Sequence, residues 1–100
     1  MIRAGIIGCG RIADQHVVEI QKIANCQIVG ACDREEMMAK QICERFNIEK
    51  NFNNIYEFLE IARPNVVHIT TPPQSHYELG KICFNMTLKL LAPSKTMAVT

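Results

Sequence analysis

Three short groups of residues in this chain have the types and spacing to do chemistry. The first is "GIIGCGRIAD", residues 5–14, where Gly8-Cys9-Gly10-Arg11-Ile12-Ala13 reads G-x-G-x-x-[G/A]. A loop of that kind brings bare backbone up to an anion. Gly8 allows a tight turn, Gly10 lacks the Cβ that would keep a phosphate away, and Ala13 lets a following helix pack close to a sheet. The N-terminus of that helix adds unpaired N–H groups and the positive end of its dipole. The plain alternative is a strand-to-helix turn with no ligand. The second group is Asp33, about 20 residues further on, at the end of an apolar run, where a carboxylate accepts hydrogen bonds from an adenosine ribose. Its plain alternative is a helix cap. The third is "TTPPQSH", residues 70–76, which follows another apolar run and ends on His76.

These groups need a scaffold that brings them to one edge, and the hydrophobic periodicity supplies it. Residues 3–8 are a short apolar run that suits a buried strand. From Arg11 to Ile23 the spacing of Ala13, Val17, Ile20 and Ala24 predicts a helix. Residues 26–33 are a second continuous apolar run, as expected of a strand covered on both faces. Residues 34–47 are helical, with Met38, Ile42 and Phe46 inward, widened by Ala39 and Cys43, and with Glu36 and Lys40 paired on the wet side. A very short strand is expected around Phe52. Asn54 caps a helix over 55–62. Residues 65–71 form a third strong strand, and residues 74–84 a helix with Leu79, Ile82 and Cys83 inward. Strands alternating with helices predict an α/β, Rossmann-like, doubly wound parallel sheet of four to five strands, incomplete at one side. The three groups then fall together at the C-terminal ends of the strands, where ligands bind in such sheets.

In that setting a dinucleotide is the expected ligand. Asp33 favours an unmodified ribose and therefore NAD, while Arg34 beside it could pair with a 2′-phosphate, so NADP is the second candidate. His76 is either a solvated first-turn residue or part of the site. His68, within a strand, reads as a packed or hydrogen-bonded core residue, and His16 has no partner in sequence that would make it a ligand.

The 100 residues are 48% hydrophobic and 21% charged, with a formal net charge of +1. That bounds the chain to one small domain or part of a larger protein, and excludes disorder. No basic stripe suggests nucleic acid, no apolar run crosses a bilayer, and the N-terminus makes a poor signal peptide. The five cysteines have no zinc spacing and read as reduced core residues, which favours the cytoplasm.

Taken together, "AGIIGCGRIADQH", "IVGACDRE", "ICERFNI" and "VVHITTPPQSHYELGKICF" resemble the N-terminal domain of the Gfo/Idh/MocA oxidoreductases over about residues 2–84. The resemblance implies NAD(P) lying across the strand ends. Gly8, Gly10, Arg11 and Ile12 would flank the pyrophosphate, Asp33 and Arg34 the adenosine, and Thr71, Pro72 and His76 the segment nearer the nicotinamide. Members of the family move hydride between the cofactor and a sugar or cyclitol hydroxyl.

The expected organisation is a dinucleotide-binding domain over residues 1–84 and a divergent tail over 85–100, with "TLKLLA" (87–92) as a further strand. The family places an E-K-P motif there, whose lysine assists proton transfer. Here Leu91 and Ala92 precede Pro93, so neither Lys89 nor Lys95 inherits that role, and no catalytic residue is assigned. The substrate-binding domain of the family is absent from the sequence. The chain is accordingly expected to be truncated relative to a full-length parent, its tail a frameshifted or alternative end, and not catalytically competent alone. A sugar-like substrate belongs to such a parent only. The alternatives are a non-catalytic dinucleotide-binding module and a non-productive fragment. Surface left uncovered by a missing domain makes self-association possible.

Overall fold

A computed structural model describes residues 1–90 and 98–99. The elements run β1 (Ile2–Ile7), α1 (Arg11–Gln21), β2 (Cys26–Cys32), α2 (Glu36–Phe46), β3 (Asn51–Phe52), α3 (Ile55–Ala62), β4 (Val66–Ile69), α4 (Pro73–Leu90) and β5 (Ala98–Val99). The strands form one sheet in the order β3-β2-β1-β4-β5, and every pairing is parallel. The order reverses direction between β1 and β4, so the crevice of this doubly wound fold opens at their C-terminal ends.

Both faces of β1 and β2 are covered, which is why these strands are apolar without alternation, whereas β4 is fully buried only on its Val67 and Ile69 side. On one face Ala4, Ile6 and Ala31 pack with Ala13, Val17 and Ile20 of α1 and with Ala39, Ile42 and Cys43 of α2. On the other, Ile7, Cys32, Val67 and Ile69 pack with Phe58, Leu59 and Ala62 of α3 and with Cys83 of α4. Phe58 of α3 is fully buried against the sheet. A Cβ on Gly5 would collide with its ring, and one on Gly30 would lie 3.2 Å from it and 3.0 Å from the ring of Phe52. Glycine at these two strand positions makes room for an aromatic ring. The register of β1 on β2 shifts here, from Ala4 opposite Ile28 to Gly5 opposite Gly30. Val29 is the extra residue, and the bulge turns both Val29 and Gly30 toward the α3 side.

Local signals explain the ends of the elements. The Asn54 side chain accepts from Glu57 N–H at 3.0 Å, the expected cap of α3. Asn47 closes α2 in the left-handed region, with φ +57°. Arg63 closes α3 the same way, and the Arg3 guanidinium donates to the carbonyls of Ala62 and Arg63, satisfying that helix end. The Glu36–Lys40 pair forms at 3.7 Å.

Several expectations are corrected. Helix α1 stops at Gln21, leaving Ala24 exposed, because the chain turns back to the sheet through Asn25 at φ +63°. The inward stripe of α2 is rotated: Ala39, Ile42 and Cys43 are buried, Phe46 is half-buried and Met38 is exposed. Small residues on the inner line let the helix sit close to the sheet. The largest change is in α4, which runs on to Leu90 instead of ending near Phe84. Thr87–Leu90, expected to begin a strand, are helical, since nothing between Phe84 and Leu90 stops a helix already propagating. The fifth sheet position is taken by Ala98–Val99 beside Val66–Val67. Leu91, Ala92, Pro93 and Lys95 lie outside the described residues.

Candidate functional site

The glycine loop joins β1 to α1 at the reversal point of the sheet. Gly8 has φ +95°, and a Cβ there would lie 2.9 Å from Thr71 Cγ2 and 3.0 Å from Thr70 Oγ1. Conformation and packing both demand glycine. Gly10 is different. It sits at the N-cap of α1 with φ −81° and ψ −165°, extended backbone that any residue adopts, and a Cβ there would meet no atom of the described residues within 4 Å. Neither strain nor packing explains a glycine at this position.

Helix α1 has no side-chain cap. The amides of its first turn, at Arg11 and Ile12, lack intrahelical acceptors and open onto the crevice. Both side chains are exposed. Ala13 is fully buried, as close packing on the sheet requires.

The loop is tied down on both sides. Toward β2, Gly8 N–H donates to the Cys32 carbonyl at 2.8 Å, and Cys9 N–H donates to Asp33 Oδ2, also at 2.8 Å. Asp33 Oδ1 accepts from Glu35 N–H at 2.8 Å, a local turn before α2 rather than the expected helix cap, since Glu35 is the N-cap and no side chain caps that helix. Arg34 follows it, exposed. Toward β4, Thr70 Oγ1 donates to the Gly8 carbonyl at 2.7 Å, and Thr70 N–H donates to the Ile7 carbonyl at 2.9 Å. Sequence reading passed over Thr70. Its signal was a hydroxyl at the end of the strand that pairs with the glycine strand; both adjacent threonines abut Gly8, and only the packed structure shows that Thr70 bonds its carbonyl while Thr71 presents a methyl.

Thr71 is half-buried, and its Oγ1 is buried without a hydrogen-bond partner among the described residues. Pro72 is exposed and its carbonyl accepts from Ser75 N–H at 2.9 Å, starting α4. His76 lies in the first turns of α4, fully on the surface side. The structure thus gathers Gly8, Gly10, Arg11, Ile12, Asp33, Arg34, Thr71 and Pro72 at the strand ends, with His76 on the helix that leaves them.

His68 is not a core residue: it is half-buried on β4, and its ring lies 5.7 Å from that of His16 on α1. Burial, and secondarily His16, lowers its pKa below 6.5. Four cysteines are buried and Cys26 is half-buried, and all five are free thiols. Burial raises Cys9 strongly, Cys32 to about 12, and Cys43 and Cys83 to about 11. These thiols are inert at neutral pH. Among the described residues no cluster of three metal-ligating side chains exists, and no helix is long and apolar enough to cross a membrane. A hollow of about 270 Å³ between Gln21, Cys26, Ile28 and Glu49 lies at the opposite, N-terminal edge of the sheet. It contains none of these groups, so the chemistry belongs to the open crevice at the glycine loop.

Fold and crevice together define a dinucleotide-binding Rossmann domain. The chain belongs to the Gfo/Idh/MocA oxidoreductase family with an NAD-binding Rossmann fold, whose family model matches residues 2–92. Over 101 aligned residues it is 26% identical to inositol 2-dehydrogenase of Salmonella typhimurium, an alignment that takes in 99% of this chain and 30% of that protein. It is 32% identical to glucose-6-phosphate 3-dehydrogenase of Bacillus subtilis over 74 residues, covering 68% of this chain and 21% of the relative. The WlbA dehydrogenase of Chromobacterium violaceum, solved with NADH and UDP-GlcNAcA, superposes with a TM-score of 0.78 at 27% identity, over 84% of this chain and 24% of that one. An oxidoreductase of Agrobacterium radiobacter, solved with NAD+, L-tartaric acid and magnesium, gives a TM-score of 0.78 at 24% identity over 84% and 25% of the two chains. The chain therefore spans about 30% or less of the length of these relatives.

Proposed function

We propose that this chain is the cofactor-holding part of a dehydrogenase that transfers hydride between NAD and a sugar or cyclitol hydroxyl, and that alone it grips the dinucleotide without turning over substrate. The observation that carries the reading is Gly10, whose Cβ would meet nothing among the described residues and whose backbone conformation does not call for glycine. What glycine uniquely offers there is bare backbone beside the open amides of α1, which suits a pyrophosphate. The residues fit the group in a second respect, since the buried Thr71 Oγ1 beside the loop has no partner among the described residues.

When bound, the nicotinamide supplies the hydride chemistry. The part of this chain is to hold and orient. The first-turn amides of α1 receive the pyrophosphate, Arg11 adds positive charge, and Asp33 takes the adenosine ribose. NAD is favoured over NADP because a 2′-phosphate would face the Asp33 carboxylate, and Arg34 next to it keeps NADP as the second candidate. Thr71, Pro72 and His76 border the nicotinamide end. Catalysis needs a substrate held in reach of that ring, and none of the residues gathered at the crevice forms a site for one. A sugar-like substrate thus belongs to a longer parent, and the cofactor domain extends past the expected boundary at residue 84, because α4 runs unbroken to Leu90 and Ala98–Val99 joins the sheet. Free thiols throughout favour a cytoplasmic setting.

Non-catalytic dinucleotide binding is the second reading, supported by the same loop geometry. Titration of NADH fluorescence tests both. Binding by the native chain and its loss in Gly10→Val are expected, because the Val side chain would fill the space the pyrophosphate needs. Unchanged affinity in Gly10→Val, or no binding at millimolar NADH by a folded sample, sinks the assignment. Sedimentation tests self-association through exposed Tyr77 and Phe84 on α4; a clean monomer rules it out.

A further inference from the structure

The motif places Asp33 where a ribose would meet it, yet both of its carboxylate oxygens are already bonded to backbone. Oδ2 accepts from Cys9 N–H and Oδ1 from Glu35 N–H, each at 2.8 Å. Cys9 is the middle residue of the G-x-G turn and its side chain is buried. The preceding amide, Gly8 N–H, donates to the Cys32 carbonyl. Two consecutive loop amides are therefore anchored to the end of β2, and the second anchor is a charged side chain. Hydrogen bonds to ionised acceptors are the strong ones.

We infer that Asp33 is a positioning residue for the glycine loop: its carboxylate holds the Cys9 amide and so sets the turn before any dinucleotide arrives. The same bonds fix the carboxylate itself. An ionised carboxylate offers about four acceptor sites. Two serve the backbone, and two remain for a ribose diol. The consequence for specificity rests on the cofactor reading above. A 2′-phosphate would meet a carboxylate that cannot swing aside without releasing Cys9. Replacing Asp33 alone would thus weaken NAD binding without creating an NADP site, because the loop would lose its anchor in the same step.

The test is amide hydrogen exchange by NMR on the ligand-free chain. In Asp33→Ala, the Cys9 and Glu35 amides are expected to exchange about tenfold faster or more, with the Cys9 amide proton moved upfield and the core amides of Ile6 and Ala31 unchanged. Asp33→Asn has one acceptor oxygen for two amides. The local turn to Glu35 retains it, because an Asn side chain readily bonds the backbone two residues on, and Cys9 alone loses protection. Asp33→Asn also serves if Asp33→Ala does not fold. Unchanged Cys9 exchange in a folded variant overturns the inference. NADH titration of the native chain is read separately: exchange as expected with no NADH binding would remove the cofactor reading and leave the loop anchor standing.

Discussion

Alanine at the two loop glycines should have opposite consequences, although the residues are two apart. At Gly8 the backbone has φ +95°. A left-handed conformation costs an L-residue about 1–2 kcal/mol. The new Cβ would also press on Thr71 Cγ2 at 2.9 Å, Thr70 Oγ1 at 3.0 Å and the Thr71 backbone nitrogen at 3.1 Å. The backbone contact cannot be relieved by a rotamer change, and overpacking of this kind costs about 1–3 kcal/mol. Together these give about 2–5 kcal/mol. At about 4–8 °C per kcal/mol for a domain of this size, Gly8→Ala should lower Tm by at least about 8 °C. At Gly10 the extended backbone accepts alanine, and its Cβ would meet nothing among the described residues. Reduced freedom of the unfolded chain favours alanine by about 0.4–1 kcal/mol, while the poorer N-cap opposes it by a similar amount. The melting temperature of Gly10→Ala should stay within about 4 °C of the parent. Thermal unfolding by circular dichroism, followed by NADH titration, measures both variants. Gly10→Ala should bind more weakly at full stability. A Gly10→Ala protein as destabilised as Gly8→Ala would show that the glycine serves the fold and would refute the division of roles.

Three further outcomes follow from the packing. Gly5→Ala should destabilise strongly through collision with the Phe58 ring, and Phe58→Leu should recover part of that loss, so that urea melts of the double variant show clear non-additivity; strict additivity would contradict the contact. His68 is held below its usual pKa of 6.5, mainly by burial, so the native state binds fewer protons than the unfolded one. Stability is then full above about pH 6.5 and falls as the pH drops below it, and His68→Gln should flatten the melting temperature between pH 7.5 and 5.5. Native thiol titration with a disulfide reagent should show Cys26 reacting fast and Cys9, Cys32, Cys43 and Cys83 reacting only on unfolding; a second fast thiol would count against their burial.

Much of this molecule was legible in its residues because each signal has a local cause. Continuous apolar runs marked β1 and β2, since a strand covered on both faces has no polar side to alternate with. The Asn54 cap is a contact across three residues, and sequence spacing suffices to find it. The glycine loop at the end of β1 and the acid at the end of β2 were placed from type and spacing alone. The length of α4 was not legible: "NMTLKL" carries a strand-like alternation, and only a helix already nucleated on the sheet absorbs it. Nor was the role of Thr70, because only the packed structure shows that its hydroxyl bonds the Gly8 carbonyl while Thr71 presents a methyl to the same glycine.

Residue type and order thus determined the class of ligand, the alternation of strands and helices, and the edge at which the loop lies. The tertiary structure decided what each loop residue is for. Gly8 is required by φ and by Thr71, Gly10 by neither, and Asp33 is bound to the loop it accompanies. Those distinctions depend on groups far apart in the chain meeting at hydrogen-bond or van der Waals distance. Such meetings are set by register and helix packing, which no short stretch of sequence encodes.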